Sequence, residues 1–228
     1  MHNLGYTRSS YQRDHLLLTP DTFVRAPLQG MEKCTAIVHC TPAVGARFTQ
    51  YTAEFEPAGK LGPTAMQRFV YVLEGELNIG GPGSYAYEPA EISAVGAARA
   101  AVIEKEYVHG FQTSKPAPLV AHERDAPSRA LDGDPDLQVS VLMPEDPTFD
   151  FAVNTMTYAP GASLSMVEMH VMEHGLVMLE GGGIYRLGDR WYPVSAGDFI
   201  WMAPYCPQWF GAIGKKPAKY LVYKDWNR

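Results

Sequence analysis

The chain repeats itself, and a repeat constrains the fold before any single residue is interpreted. Residues 57–75 (PAGKLGPTAMQRFVYVLEG) match residues 160–181 (PGASLSMVEMHVMEHGLVMLEG), and both close on a Val/Met-Leu-Glu-Gly phrase at a shift of 106. A second echo pairs AAVIEKEY at 100–107 with KYLVYKDW at 219–226 and sets Lys105 opposite Lys224. Each half therefore carries the same strand series. The 21 glycines and 18 prolines punctuate short Val, Ile, Tyr and Phe runs at intervals of roughly ten residues, the spacing of sandwiches and barrels. An all-β chain of two similar units follows. Its 228 residues, 46% of them apolar, suffice for one large core or two small ones of about 100 residues each. Residues 114–118 and 124–136 are rich in Pro, Asp and Ala, as a surface connection would be. The expected boundary lies near residue 130, giving domains 1–130 and 131–228.

Within the second copy, residues 184–194 read as a hairpin turning at Gly188-Asp189. Gly197-Asp198 then turns the chain into the apolar strand Phe199-Ile200-Trp201-Met202, which Pro204 closes. The matching first-copy strands, around Leu77 to Ile79 and Tyr85 to Pro89, are shorter and richer in glycine. The order in each copy is a proline-glycine turn, a strand pair, a Leu-Glu-Gly turn, a hairpin, a Gly-Asp turn and a closing strand. This order resembles a cupin, a small jelly-roll barrel. Two in one chain make a bicupin, with a cavity in each barrel.

Glu168, His170 and His174 have even spacing, so on a strand Glu168 and His170 project to one face, and His174 joins them from the adjacent strand. Cupins usually place HxH and a glutamate between two glycines; here Gly161 and Gly181 bracket ExHxxxH, and Gln208 replaces a later histidine. A carboxylate, two imidazoles and an amide oxygen suit a harder divalent ion such as manganese or iron. An arbitrary histidine pair is more often a surface or core feature. These two, however, fall where cupins carry ligands, in a chain with seven histidines. At the repeat-aligned positions of the first copy stand Gly62, Thr64 and Arg68. None replaces the lost ligands, so the N-terminal barrel is expected to be metal-free and degenerate.

Several residues take the structural reading. His15, His39, His109 and His122 lie outside both barrel motifs, Met166, Met169, Met172 and Met178 read as packing residues, and Cys206 reads as a buried hydrophobe. Three cysteines, none in a CxxC pair, do not make a fully paired disulfide framework, which fits a reducing compartment. With no apolar run of 18 residues and no leader-like start, a cytoplasmic location is expected, without membrane association. A net charge of -6, with basic residues scattered among acidic ones, offers no footprint for phosphate backbones, so nucleic acid is not an expected partner.

ExHxxxH followed by Gln208, with Tyr220 and Lys224 beyond it, resembles the (S)-ureidoglycine aminohydrolase family. The segments EMHVMEHGLVMLEGGGIYRLGDRWYPVSAGDFIWMAPYCPQWF, YLVYKDWNR and LLLTPDTFVRAPLQGMEKCTAIVHCTPAVGARF read the same way. The resemblance implies a hydrolase of purine and allantoin degradation that releases ammonia from ureidoglycine to leave ureidoglycolate. It also implies one Mn2+ on Glu168, His170, His174 and Gln208, and substrate contacts from Glu168, Gln208, Tyr220 and Lys224. Of these, Glu168, Tyr220 and Lys224 are the expected catalytic residues, and the chain is expected to be a homo-oligomer. Tyr220 and Lys224 share a strand face by their even separation. Lys224 would pair with the substrate carboxylate or support proton movement to the leaving ammonia, and Tyr220 would hydrogen-bond the ureido group or the carboxylate.

Two other readings compete. A dioxygenase, a decarboxylase or an oxalate-degrading cupin would use the same barrel, but such enzymes usually keep three histidines and a glutamate, against which Gln208 counts. A non-catalytic bicupin acting as a sensor or storage protein leaves Glu168, Gln208, Tyr220 and Lys224 together unexplained.

Overall fold

The computed structural model describes residues 6–108 and 115–225. Its strands are β1 (Ser10–Tyr11), β2 (His15–Leu18), β3 (Arg25–Ala26), β4 (Glu32–Cys40), β5 (Thr49–Lys60), β6 (Gln67–Glu74), β7 (Ser84–Tyr87), β8 (Ala98–Lys105) and β9 (Leu119–His122). They continue as β10 (Ser128–Leu131), β11 (Asp134–Val141), β12 (Ala152–Tyr158), β13 (His174–Glu180), β14 (Gly182–Leu187), β15 (Arg190–Ser195), β16 (Phe199–Met202), β17 (Gln208–Ala212) and β18 (Ala218–Lys224). Among the described residues the helical content is three short 3-10 turns. The fold is all-β, as the glycine and proline punctuation requires.

The chain divides into two compact units, one of Val24–Ala126 and Asp146–Asp150, the other of Met1–Phe23, Pro127–Glu145 and Phe151–Arg228. The division is not a single cut at residue 130. The first strands belong with the C-terminal unit because β2 pairs antiparallel with β16, Leu16 facing Trp201 and Leu17 facing Ile200. Residues 124–136, expected to be connection, contain β10 and the start of β11. Asp132 and Gly133 both adopt positive φ there, the conformation a two-residue hairpin turn demands.

In the N-terminal unit seven strands run in the order β3-β4-β5-β8-β6-β7-β9. Alternate residues of β5 and β8, among them Tyr51, Ala53, Val102 and Ala100, line its buried apolar core. Its buried polar centre is Lys105 paired with Asp150, which also accepts from Gln67 Nε2 at 2.5 Å and from the Val108 N–H at 2.9 Å.

In the C-terminal unit an eight-stranded sheet (β1-β2-β16-β13-β18-β12-β11-β10) is joined by a three-stranded one (β15-β14-β17). The β14–β15 hairpin turns where expected, with Leu187 opposite Arg190 across Gly188 and Asp189. Tyr158, Leu176, Met178, Tyr185, Phe210, Tyr220 and Val222 share one apolar core, so the even-numbered residues of β18 face inward. Gly183 permits the close β14–β17 approach, because a Cβ there would lie 2.0 Å from the Gly211 carbonyl oxygen.

The sheet register corrects one sequence match. Lys219 pairs with Glu180 and Arg99 with Glu74, each after the same bulge, so the partner positions His174–Lys224 correspond to Arg68–Glu104. The first-copy counterpart of Lys224 is therefore Glu104, and Lys105 lies one residue on, facing the other side of the sheet. A single-residue slip of this kind is invisible in a short, degenerate match.

Candidate metal centre and active site

Residues 161–173 do not form the expected strand. They run beside β17 and touch it at two bridges, Ser163 with Gly211 and Glu168 with Gln208. Between the bridges lie four residues on one side and two on the other, so Ser165, Met166 and Val167 bulge into solvent. Met166 and Met169 are exposed, contrary to the packing role expected of them; Met178 keeps it. The bridge at Glu168 is firm, with N–H to carbonyl distances of 2.8 and 2.9 Å in the two directions.

That bridge sets Glu168 beside Gln208, and His170 follows on the same side, its Nε2 3.1 Å from Glu168 Oε2. His174 opens β13, and its ring centre lies 5.5 Å from that of His170. The structure thus gathers all four residues in the C-terminal unit. Glu168 and His170 are partly exposed, whereas His174 and Gln208 are buried, so the group sits at an accessible mouth rather than in a sealed interior.

The donor chemistry fits a divalent ion. His174 Nδ1 donates to the Tyr223 carbonyl at 3.3 Å, which leaves the Nε2 lone pair available. Burial first, then His170 and Lys224, hold this imidazole neutral by lowering its pKa to about 3. The Gln208 carbonyl Oε1 accepts from the Tyr185 hydroxyl at 3.1 Å, which orients the amide. Two imidazoles, a carboxylate and an amide oxygen can therefore supply a cation.

Tyr220 and Lys224 come from β18, next to β13. The Tyr220 hydroxyl lies 2.8 Å from that of Tyr158 and 3.1 Å from the Met156 sulfur, and burial pushes its pKa well above the ordinary phenol value. Lys224 sits opposite His174 in the sheet, with Asn154 Oδ1 accepting from its Nζ at 3.1 Å. Burial and the neighbouring Arg129 lower its pKa, while Glu145 and Glu168 act in the opposite direction. Glu168 also bears on Tyr220, so one carboxylate lies within electrostatic reach of both β18 residues.

Sequence reasoning missed Tyr158 and Tyr185. Tyr185 was within reach of the alternation Gly183, Tyr185, Leu187 in the hairpin, which puts it on the inner face beside Gln208. In the N-terminal unit, Gly62, Thr64 and Arg68 line a cleft of about 320 Å³. Arg68 makes a buried ion pair with Glu104 at 2.6 Å there. Of the other histidines, His122 caps a 3-10 turn through the Arg124 N–H, and His39 is buried against the Thr52 hydroxyl at 2.9 Å. His15 adjoins Asp14 and Cys206. His109 lies outside the described residues.

A family model described as a cupin domain matches residues 154–223, within the C-terminal unit. The (S)-ureidoglycine aminohydrolase of Arabidopsis thaliana is 38% identical over 98% of this chain and 80% of its own length. The enzyme of the same name from Escherichia coli (strain K12) is 29% identical over 93% of this chain and 88% of its own. Among solved structures, a putative glyoxylate-induced protein from Pseudomonas aeruginosa superimposes with a TM-score of 0.87 at 28% identity, covering 100% of this chain and 94% of that one. Two cupin units in one chain, a bicupin, is the architecture these findings share with the strand order described above.

Proposed function

The chain belongs to the (S)-ureidoglycine aminohydrolase family of cupin enzymes, and from that premise we propose that it hydrolyses (S)-ureidoglycine to (S)-ureidoglycolate and ammonia, using one manganese ion in the C-terminal unit. The observation that carries the reading is the convergence of Glu168, His170, His174 and Gln208 at one mouth, with Tyr220 and Lys224 on the strand beside it. This is a hydrolase working on a small molecule in purine degradation. The N-terminal unit holds no ion in this account, since Arg68 brings a guanidinium and its partner Glu104 to the matching place.

Held by Glu168, His170, His174 and Gln208, such an ion would supply a Lewis acid to the substrate. The protein's own residues do the rest. In the net reaction the Cα–N bond to the amino group breaks, a Cα–O bond to water forms, and ammonia departs with a proton gained. Lys224 is placed to pair with the substrate carboxylate or to hand a proton to the leaving amine, and its lowered pKa brings that transfer nearer neutral pH. Tyr220, its hydroxyl already oriented by Tyr158, is placed to hydrogen-bond the ureido group or the carboxylate. Gln208, held by Tyr185, and Glu168 complete the set that fixes one stereoisomer. Several directional contacts around one carbon discriminate better than apolar packing, because a mismatched isomer leaves polar groups unpaired. The test is ammonia release from freshly generated (S)-ureidoglycine by protein stripped of metal and then reloaded with manganese.

A further inference from the structure

Three donors that the proposed reaction does not use converge elsewhere in the C-terminal unit. Oxygen, nitrogen and sulfur atoms of Asp14, His15 and Cys206 all lie within 4.8 Å of one another. They are brought together by backbone pairing: His15 is opposite Met202 between β2 and β16, the Ala203 N–H donates to the Asp14 carbonyl at 2.9 Å, and the Cys206 N–H turns back to the Ala203 carbonyl at 3.1 Å. His15 and Cys206 are buried, while the Asp14 side chain is 45% exposed and gives the cluster an opening to solvent.

We propose that Asp14, His15 and Cys206 form a second metal site, selective for a borderline-soft divalent cation such as Zn2+ and distinct in its donors from the site at Glu168. A Cys-His-carboxylate set with one open position is ordinary zinc chemistry, with donor distances of about 2.0–2.3 Å. Donors around such an ion lie roughly 3.5 Å apart by that geometry. The present Asp14–His15 contact of 2.8 Å must therefore open by less than about 1 Å, which the half-exposed carboxylate can do.

Two features go beyond a hydrogen-bonded His-Asp pair. His15 Nε2 lies 2.8 Å from the Tyr192 hydroxyl, which lies 3.3 Å from Ser10 Oγ, so the ring is braced by its outer nitrogen while Nδ1 faces the other donors. Gly188, in the turn before β15, leaves the wall beside them open: a Cβ there would lie 3.0 Å from Asp14 Oδ2 and 3.7 Å from His15 Nδ1. Burial, then the neighbouring Asp14, push the Cys206 thiol up to about 11 against a smaller opposing pull from the Gly188 N–H, so the ligand site starts as the protonated thiol. On binding, the ion takes the place of the thiol proton, which leaves to solvent. Occupancy would tie β2 to the turn that leads into Gln208.

Cobalt(II) is the probe, because a thiolate ligand gives it a near-ultraviolet charge-transfer band that the sulfur-free donor set at Glu168 cannot produce. Full-length protein, stripped of metal and reloaded with one equivalent of manganese, is titrated with Co2+ and then with competing Zn2+. The expected result is a thiolate band saturating at one Co2+ per chain and bleached by Zn2+. It should be absent in Cys206→Ser, weakened at least tenfold in affinity in Asp14→Asn, and retained in His174→Ala. No thiolate band in the wild-type protein, a band that survives Cys206→Ser, or one that disappears in His174→Ala overturns the proposal. None of these outcomes depends on turnover of ureidoglycine.

Discussion

Replacing Lys224 by methionine isolates the residue on which the proposed chemistry leans most. Methionine keeps an unbranched stem of similar reach and removes only the ammonium. In the structure that ammonium lies on β18 beside His174, close enough to Glu168 to feel its charge, and burial has already lowered its pKa. A charge-assisted contact to a substrate carboxylate in such a partly desolvated place is worth about 1.5–3 kcal/mol. That corresponds to roughly one to two powers of ten in kcat/KM. The matched control is Lys215→Met, an exposed lysine in the turn before β18. Lys105→Met does not serve, because it removes the cation paired with the buried Asp150 in the N-terminal unit. Steady-state ammonia release, thermal unfolding and manganese content are measured for both variants. Lys224→Met is expected to lose ten- to hundredfold in turnover with unchanged melting and one ion retained. Turnover equal to that of Lys215→Met, or loss of manganese, refutes the assigned contact.

Other outcomes follow from single features. His170→Ala and His174→Ala should each abolish stoichiometric manganese binding by elemental analysis, whereas Arg68→Ala should leave the content at one ion per chain while lowering stability through loss of the ion pair to Glu104; unaltered occupancy in both histidine variants would mean the ligands are misassigned. Lys105→Met should cost roughly 3–5 kcal/mol in chemical denaturation, since it removes the cation that balances a buried carboxylate; a change below about 1 kcal/mol would contradict that. Burial lowers the His39 pKa to about 3, so the unfolded chain takes up a proton near pH 6.5 that the folded chain refuses, and stability falls as pH drops from 6.5 toward 3. His39→Leu should therefore retain about 2 kcal/mol more of its neutral-pH stability at pH 5 than the parent does; identical acid slopes would refute it. Gly183→Ala forces a methyl group against the Gly211 carbonyl oxygen and should destabilise by at least about 2 kcal/mol, read as a lowered melting temperature.

Much of this was written in the sequence because it depends on local rules. Gly188-Asp189 specifies a two-residue turn whatever surrounds it, and the ExHxxxH run with a distant Gln208 marks donor types that rarely cluster without a cation. What escaped depended on pairing between distant segments. The Asp132-Gly133 hairpin was hidden by the Pro- and Asp-rich residues around it, which read as linker. The Lys105 match failed by one position because strand register flips faces with a single-residue shift, and only the paired bulges after Glu74 and Glu180 disclose the true alignment. No local signal ties His15 to Cys206, 191 positions later. Their meeting comes from β2 joining β16, a long-range choice made by apolar burial of Leu16, Leu17 and Ile200.

If a single manganese site in the C-terminal unit drives hydrolysis of (S)-ureidoglycine, turnover must follow occupancy of that site. Ammonia release from freshly generated (S)-ureidoglycine is measured with metal-stripped protein as manganese is added back in steps. Expected are negligible turnover without metal, a rise that saturates at one Mn2+ per chain, and (S)-ureidoglycolate as the accompanying product. Ammonia released equally fast by the stripped protein, or no release with one manganese bound, would contradict it.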